Sequence, residues 1–210
     1  MSNPHQRTEA WFKDREGKLT GSAFGQAAGL GPGSRAQLWR RMMGMEPAFE
    51  GNAATEWGTD KEPVAVAAYE QHCGMSAQLV GFLTHREHDW LGCSPDFLVG
   101  EAGMGEIKCP FSQTLYDDIP AYYMAQVQGA MEVADKAYCD FVCWTPERMR
   151  VWRVARSEDY WRWLHMQLAE FWLYVQAAVE PPKLARRPKP PEVITLSKRD
   201  IELAAVPEPV

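Results

Sequence analysis

Two stretches of the chain alternate between apolar and polar positions. Ala137 to Trp144 reads as a strand, Thr145-Pro146-Glu147 as its turn, and Arg148 to Val154 as the returning strand. Phe97-Leu98-Val99, the glycine-rich Gly100 to Gly105, and Glu106 to Lys108 read as a second hairpin. Gln78 to Thr84 predicts a further strand. The polar turn His85-Arg86-Glu87-His88-Asp89 and Trp90 to Cys93 then lead into that second hairpin.

Helical spacing fills most of the rest. Thr8 is a candidate cap for a short helix ending at Arg15, and Thr20 or Ser22 for one over Ala23–Leu30. Gly29 to Ser34 is a glycine-rich loop. It lacks a Gly-Lys-Ser/Thr ending and follows no strand, which excludes a nucleotide P-loop. Ser34 opens a helix to about Met43. A longer helix is predicted from Trp57 to Cys73, with Glu62 and Pro63 in its first turn and Ala65, Val66, Ala68 and Tyr69 as its apolar stripe. Pro120 opens a helix that places Tyr123, Gln126 and Ala130 on one face. Asp159 to Ala178 is an aromatic-rich amphipathic helix. Prolines and basic residues over 181–192 predict an extended linker, and Ile194 onward a tail or docking arm. The expected organisation is a single domain over 1–180 followed by a Pro-rich basic linker and tail over 181–210.

Composition narrows the function classes. At 210 residues and 46% apolar content the chain can bury one core, and no apolar run approaches the ~20 residues of a membrane span. The N-terminus lacks the apolar core of a secretory signal. Five cysteines without a Cys-x-x-Cys pair predict free thiols in a reducing cytoplasm. The net charge of -6 argues against a nonspecific DNA coat, though not against an enzyme with a confined basic channel.

Within the central hairpin, Asp96 starts one strand, and Glu106 and Lys108 lie two apart on the other, so both leave the same face. Two carboxylates suit a hard cation such as Mg²⁺, and a lysine beside the attacking water suits metal-assisted phosphodiester hydrolysis. Charged residues on a hairpin are more often a solvated face. Glu62 reads either as a helix-dipole partner or as a third acidic group. Arg15, Thr20 and Ser22 are anion-binding types near a helix start, where capping is the commoner role. Arg35, Arg40 and Arg41 are open to either a DNA backbone or solvent, and His85 and His88 read as turn residues.

Ser94-Pro95-Asp96, Glu106-Ile107-Lys108-Cys109-Pro110-Phe111 and Tyr123-Met124-Ala125-Gln126-Val127-Gln128 together resemble the phage lambda exonuclease family. This is the alkaline exonuclease, or viral recombinase, branch of the PD-(D/E)xK nucleases. Trp57-Gly58…Glu62 and Arg15…Thr20-Gly21-Ser22 match in the same order. The resemblance implies an α/β restriction-endonuclease-like core, a central mixed β-sheet flanked by helices. It implies Mg²⁺-dependent 5′-to-3′ digestion of one strand of linear double-stranded DNA from a 5′-phosphorylated end. The products are mononucleotides and a 3′ overhang. It further implies two Mg²⁺ per site, with Mn²⁺ able to substitute, a homotrimeric ring and a single-strand annealing protein as partner.

Residue by residue, Asp96, Glu106 and the Ile107 carbonyl are the implied metal ligands, Lys108 acts on the water, and Glu62 adds acidic support. Arg15, Ser22, Ser94 and Gln126, with Thr20, are implied to hold the 5′-phosphate. Phe97 stands where the family has glycine and is expected to pack inward. The alternatives are a structure-specific or nicking endonuclease on the same core, and a non-catalytic DNA-binding module.

Overall fold

The structure, a computed structural model, describes residues 4–47 and 51–203. Expectations for residues 1–3 and for the tail beyond 203 lie outside the described residues. The helices are α1 (Glu9–Arg15), α2 (Gly21–Ala27), α3 (Arg35–Met42), α4 (Ala53–Cys73), α5 (Ala121–Val133) and α6 (Glu158–Gln176). The strands are β1 (Leu19–Thr20), β2 (Ala77–Gln78), β3 (Leu83–Thr84), β4 (Leu91–Cys93), β5 (Phe97–Val99), β6 (Gly103–Lys108), β7 (Tyr138–Trp144), β8 (Arg148–Ala155) and β9 (Thr195–Glu202).

The larger sheet has the order β2-β5-β6-β7-β8-β9, and the smaller one β1-β4-β3. In the larger sheet β6 and β7 pair in parallel and every other neighbouring pair is antiparallel. A parallel pair needs a crossover, and α5 supplies it. This is the mixed sheet flanked by helices that the family resemblance implies. The buried face of β7 and β8 explains why: Phe141, Trp152 and Val154 are fully buried against Val127 and Met131 of α5. On the other face Val142 and Val151 pack with Ala65 and Tyr69 of α4.

Four boundaries differ from expectation. The long helix begins at Ala53 because Asn52 caps it: Asn52 Oδ1 accepts from the N–H of Ala54 and Thr55, and Thr55 Oγ1 accepts from the N–H of Asn52. Pro63 is therefore interior, where it withholds the N–H that would serve the preceding turn. The predicted strand Gln78–Thr84 divides into β2 and β3, which join different sheets. The glycine-rich turn closes by Gly103, where β6 begins. Finally, part of the expected tail is β9, antiparallel to β8 along its length.

Phe97 packs inward as expected. It is fully buried, 4.8 Å from the Tyr69 ring. A Cβ on Gly105 would lie 2.0 Å from the Phe97 ring, so the strand partner of Phe97 has to be glycine. Among the described residues no helix is long and apolar enough to cross a membrane, and all five cysteines are free.

Candidate active site

A pocket of about 180 Å³ opens where the β5–β6 hairpin meets α1, α2, α4 and α5. Arg15, Ser22, Glu62, Ser94, Asp96, Glu106 and Gln126 line it together. Six separate stretches of sequence therefore deliver their predicted residues to one place. Thr20 is not among the lining residues: it precedes α2 and makes no side-chain cap bond.

Asp96 is set by the hairpin. Its backbone N–H donates to the Gly105 carbonyl at 3.2 Å, and its Oδ2 accepts from the Ile107 N–H at 2.6 Å. The Ile107 side chain itself is buried in the core behind the sheet. Glu106 and Lys108 share a face of β6, as alternation requires, and Lys108 Nζ lies 2.6 Å from Glu106 Oε1. The same oxygen accepts from Gln126 Nε2 at 2.6 Å. Gln126 therefore holds Glu106 with one N–H of its amide, leaving the second for the pocket. Lys108 also stands over the Tyr123 ring, 4.6 Å from its centroid.

The electrostatics are unbalanced. Burial, then Glu106 and Glu62, push the Asp96 carboxyl well above the usual carboxylate range. Glu62 is also raised, first by burial and then by Glu106, against a lowering by Arg7. Burial works to lower Lys108, but Glu106, Tyr123 and Asp96 together outweigh it and hold the ammonium protonated. Burial, with Glu106 next, raises the Cys93 thiol on the pocket wall, so it stays neutral.

Three carboxylates thus crowd around one ammonium group. Among the described residues Asp96 Oδ1, Glu106 Oε2 and both Glu62 oxygens have no hydrogen-bond partner. Also among the described residues, no three acidic, histidine or cysteine side chains already form a metal-binding group. A donor set of Asp96, Glu106 and a backbone carbonyl does fit Mg²⁺, which keeps several waters and needs few protein ligands.

The phosphate-type residues line the same pocket. Arg15 stacks on Trp11, its guanidinium 4.0 Å from the ring centroid, and burial lowers its pKa. Trp11 Nε1 donates to Ser94 Oγ at 2.9 Å, which ties α1 to the segment leading into β5. Ser22 lies in the first turn of α2, exposed. Sequence reasoning missed Gln6, Arg7 and Trp11. Trp11 was detectable, since it precedes Arg15 by one helical turn. Gln6 and Arg7 carry no periodic signal. Gln6 ties the N-terminal segment to the hairpin by donating to the Pro95 and Val80 carbonyls, and Arg7 lines the pocket with a positive φ of 62°.

Other candidates are engaged elsewhere. Arg35 pairs with Glu170, Arg40 with Glu180 and Arg41 with Gln26. His85 is a turn residue, as expected: its Nδ1 accepts from the N–H of Glu87 and His88.

Residues 10–137 match the YqaJ-like viral recombinase domain. The chain is 28% identical to LHK-Exo, an alkaline exonuclease from Laribacter hongkongensis. The crystal structure of that protein with dAMP superposes with a TM-score of 0.72, over 82% of this chain and 95% of that one. A phage-related exonuclease from Haemophilus somnus shares the fold at 16% identity, with a TM-score of 0.61, over 77% of this chain and 94% of that one. Protein D345L of African swine fever virus is 24% identical over 171 residues, 63% of this chain. The chain spans about half of that protein's length, 47%. The matched span holds every pocket residue from Trp11 to Ala130, and the chain belongs to the YqaJ-like viral recombinase domain family.

Proposed function

We propose that this protein is a Mg²⁺-dependent 5′-to-3′ exodeoxyribonuclease. It digests one strand of linear duplex DNA from a 5′-phosphorylated end and leaves a 3′ overhang. One observation carries the reading: Arg15, Ser22 and Ser94 share a single small pocket with Asp96, Glu106 and Glu62. A cutting site that also contains an anion cradle can measure its cut from a terminal phosphate. The structure of LHK-Exo with dAMP supports a mononucleotide product.

Each residue then has a task. Arg15, held flat against Trp11, and the hydroxyls of Ser22 and Ser94 receive the terminal phosphate, with the second Gln126 N–H beside them. Asp96, Glu106 and the Ile107 carbonyl would hold Mg²⁺, and Glu62 would support a second ion. Bound there, the two ions supply charge stabilisation to the attacking and leaving oxygens, and Mn²⁺ substitutes. Lys108 orients or activates the attacking water and steadies charge on the phosphate. Glu106 and Tyr123 fix its ammonium group in that position.

The same reading includes a homotrimeric ring around the DNA, action beside a single-strand annealing protein, and a cytoplasmic setting. Exposed Met166 and Leu173 on α6, each more than 60% accessible, offer apolar surface for subunit contact. Buried free thiols fit a reducing compartment.

The test is digestion of three DNAs in Mg²⁺: linear duplex with 5′-phosphate ends, the same duplex with 5′-hydroxyl ends, and a closed circle. The proposal expects rapid loss of the first, slow loss of the second and an intact circle. A nicked or linearised circle would instead favour an endonuclease on the same core.

A further inference from the structure

A second groove, of about 890 Å³, lies between the loop from Gly29 to Ser34, α3 and the segment 180–187. Arg35, Arg40, Lys183, Arg186 and Arg187 line it, against the single carboxylate of Glu180. Such a cluster is unexpected in a chain of net charge -6. Not all of this charge is available. Arg40 forks onto Glu180 with two contacts of 2.7 Å, and Arg187 donates to the Leu30 carbonyl at 2.6 Å. Lys183 and Arg186 are exposed and have no partner among the described residues.

The segment that carries these two cations is pinned, although its composition reads as a linker. Leu184 Cδ1 sits 2.3 Å from where a Cβ on Gly29 would be, so the segment seats in the space that glycine leaves. The Arg187 and Arg40 contacts fasten it on either side. Lys183 and Arg186 are therefore presented by fixed backbone, which lowers the ordering cost of binding.

Arg35, beneath them, is 6% exposed. One end pairs with Glu170, but its Nε–H is buried without an acceptor among the described residues. The start of α3 lies at the same place; the Ser34 hydroxyl takes the Gln37 N–H, and the remaining first-turn N–H groups favour an anion.

We propose that this groove binds the phosphate backbone of duplex DNA ahead of the cut. The proposal rests on the nuclease reading. The link between the two sites is α2. Gly21 at its start lines the catalytic pocket, and Gly29 just beyond its end lines the groove. At ~1.5 Å per helical residue these ends are about 12 Å apart, or three to four base-pair steps of ~3.4 Å. A duplex whose 5′ end sits in the pocket passes its backbone along the groove. The groove then sets affinity and retention on DNA and leaves the chemical step unchanged.

The experiment compares the wild type with Lys183→Gln/Arg186→Gln. It measures binding to a blunt 5′-phosphorylated duplex without divalent metal, across a range of salt concentrations. The proposal expects weaker binding at low salt and a log–log salt slope smaller by about two, since each lost phosphate contact removes ~0.9. In Mg²⁺ at saturating DNA, kcat stays within about two-fold of wild type while KM rises. An unchanged salt slope overturns the proposal. If the variant instead loses affinity for a polyglutamate peptide, the groove belongs to an acidic protein partner. The two readings fail separately. A wild type that digests DNA with no slope change in the variant removes the groove alone. A wild type whose slope does change in the variant, but which hydrolyses nothing, removes the nuclease.

Discussion

Two carboxylates on opposite sides of β6 show how differently one sheet can treat an acid. Asp140 on β7 sits opposite Gly105 on β6, one residue from Glu106. It is fully buried and fully matched. Arg153 approaches it with two contacts of 2.8 and 2.7 Å, and the Tyr69 hydroxyl donates to it at 2.6 Å. Asp96, on the other side of β6, has one backbone N–H and two carboxylate neighbours. Asp140 is fully buried and Asp96 half-buried, and the larger difference lies in compensation. A buried charge persists when it is paired, and a crowd of half-paired carboxylates persists because something else selects for it. At Asp140 the protein supplies the cation itself. At Asp96, under the proposed function, a bound cation would supply it.

That contrast can be broken by mutation, and the largest effect expected is on activity. Lys108→Ala should lower the rate of linear duplex digestion by roughly 10³-fold, with circular dichroism unchanged. Next comes stability: Asp140→Ala strands Arg153 and Tyr69 and should cost about 3–5 kcal/mol in denaturant unfolding. Arg15→Ala should reduce the preference for 5′-phosphate over 5′-hydroxyl ends by roughly 10-fold or more, losing an ion-paired phosphate contact of about 1.5–3 kcal/mol. The smallest effect on stability has the opposite sign from that of Asp140→Ala. Asp96→Asn removes a crowded charge and should raise Tm in the absence of metal, by about 2–4 °C for each kcal/mol gained. Activity should vanish in the same variant.

The pH dependence follows from the same crowding. Asp96 and Glu62 have folded pKa values raised above the unfolded ones. The folded state therefore binds more protons across the window between them, so metal-free stability falls as pH rises through it. Metal binding needs the ionised carboxylates and should tighten over the same window. Thermal melts with and without Mg²⁺ at stepped pH should therefore diverge as pH rises. Curves that stay parallel would mean that the carboxylates are not the cation site.

How much of this was legible in the sequence depends on whether the cause is local. Asp96, Glu106 and Lys108 were legible because strand alternation alone puts the last two on one face. Glu62 was legible as part of the site only through the family resemblance, since spacing alone left it open to a helix-dipole role and only the fold brings α4 to β6. The helix start at Ala53 was hidden because Ala53 to Glu56 are exposed and show no apolar period; the Asn52–Thr55 capping pair alone marks it. β2 and β3 read as one strand because the apolar run hides a change of sheet. At that change the Phe82 ring lies 2.1 Å from where a Cβ on Gly92 would be, a contact made across the chain. β9 has no alternation to read, being exposed at nearly every position, and exists because β8 offers it an edge. Arg35 and Arg40 looked available for DNA because Glu170 and Glu180 lie more than a hundred residues away. The phosphate set of Arg15, Ser22, Ser94 and Gln126 was legible through family resemblance, and Arg7 was not legible at all.

The central claim is that the Asp96–Glu106–Glu62 crowd is built to take up divalent cations. Calorimetric titration of Mg²⁺ into the wild type and into Asp96→Asn at pH 8 tests it most directly. The account predicts saturable binding to the wild type and none to the variant, while the variant keeps its fold and melts no lower than the wild type without metal. Equal Mg²⁺ binding by both proteins, or none by either, would contradict it.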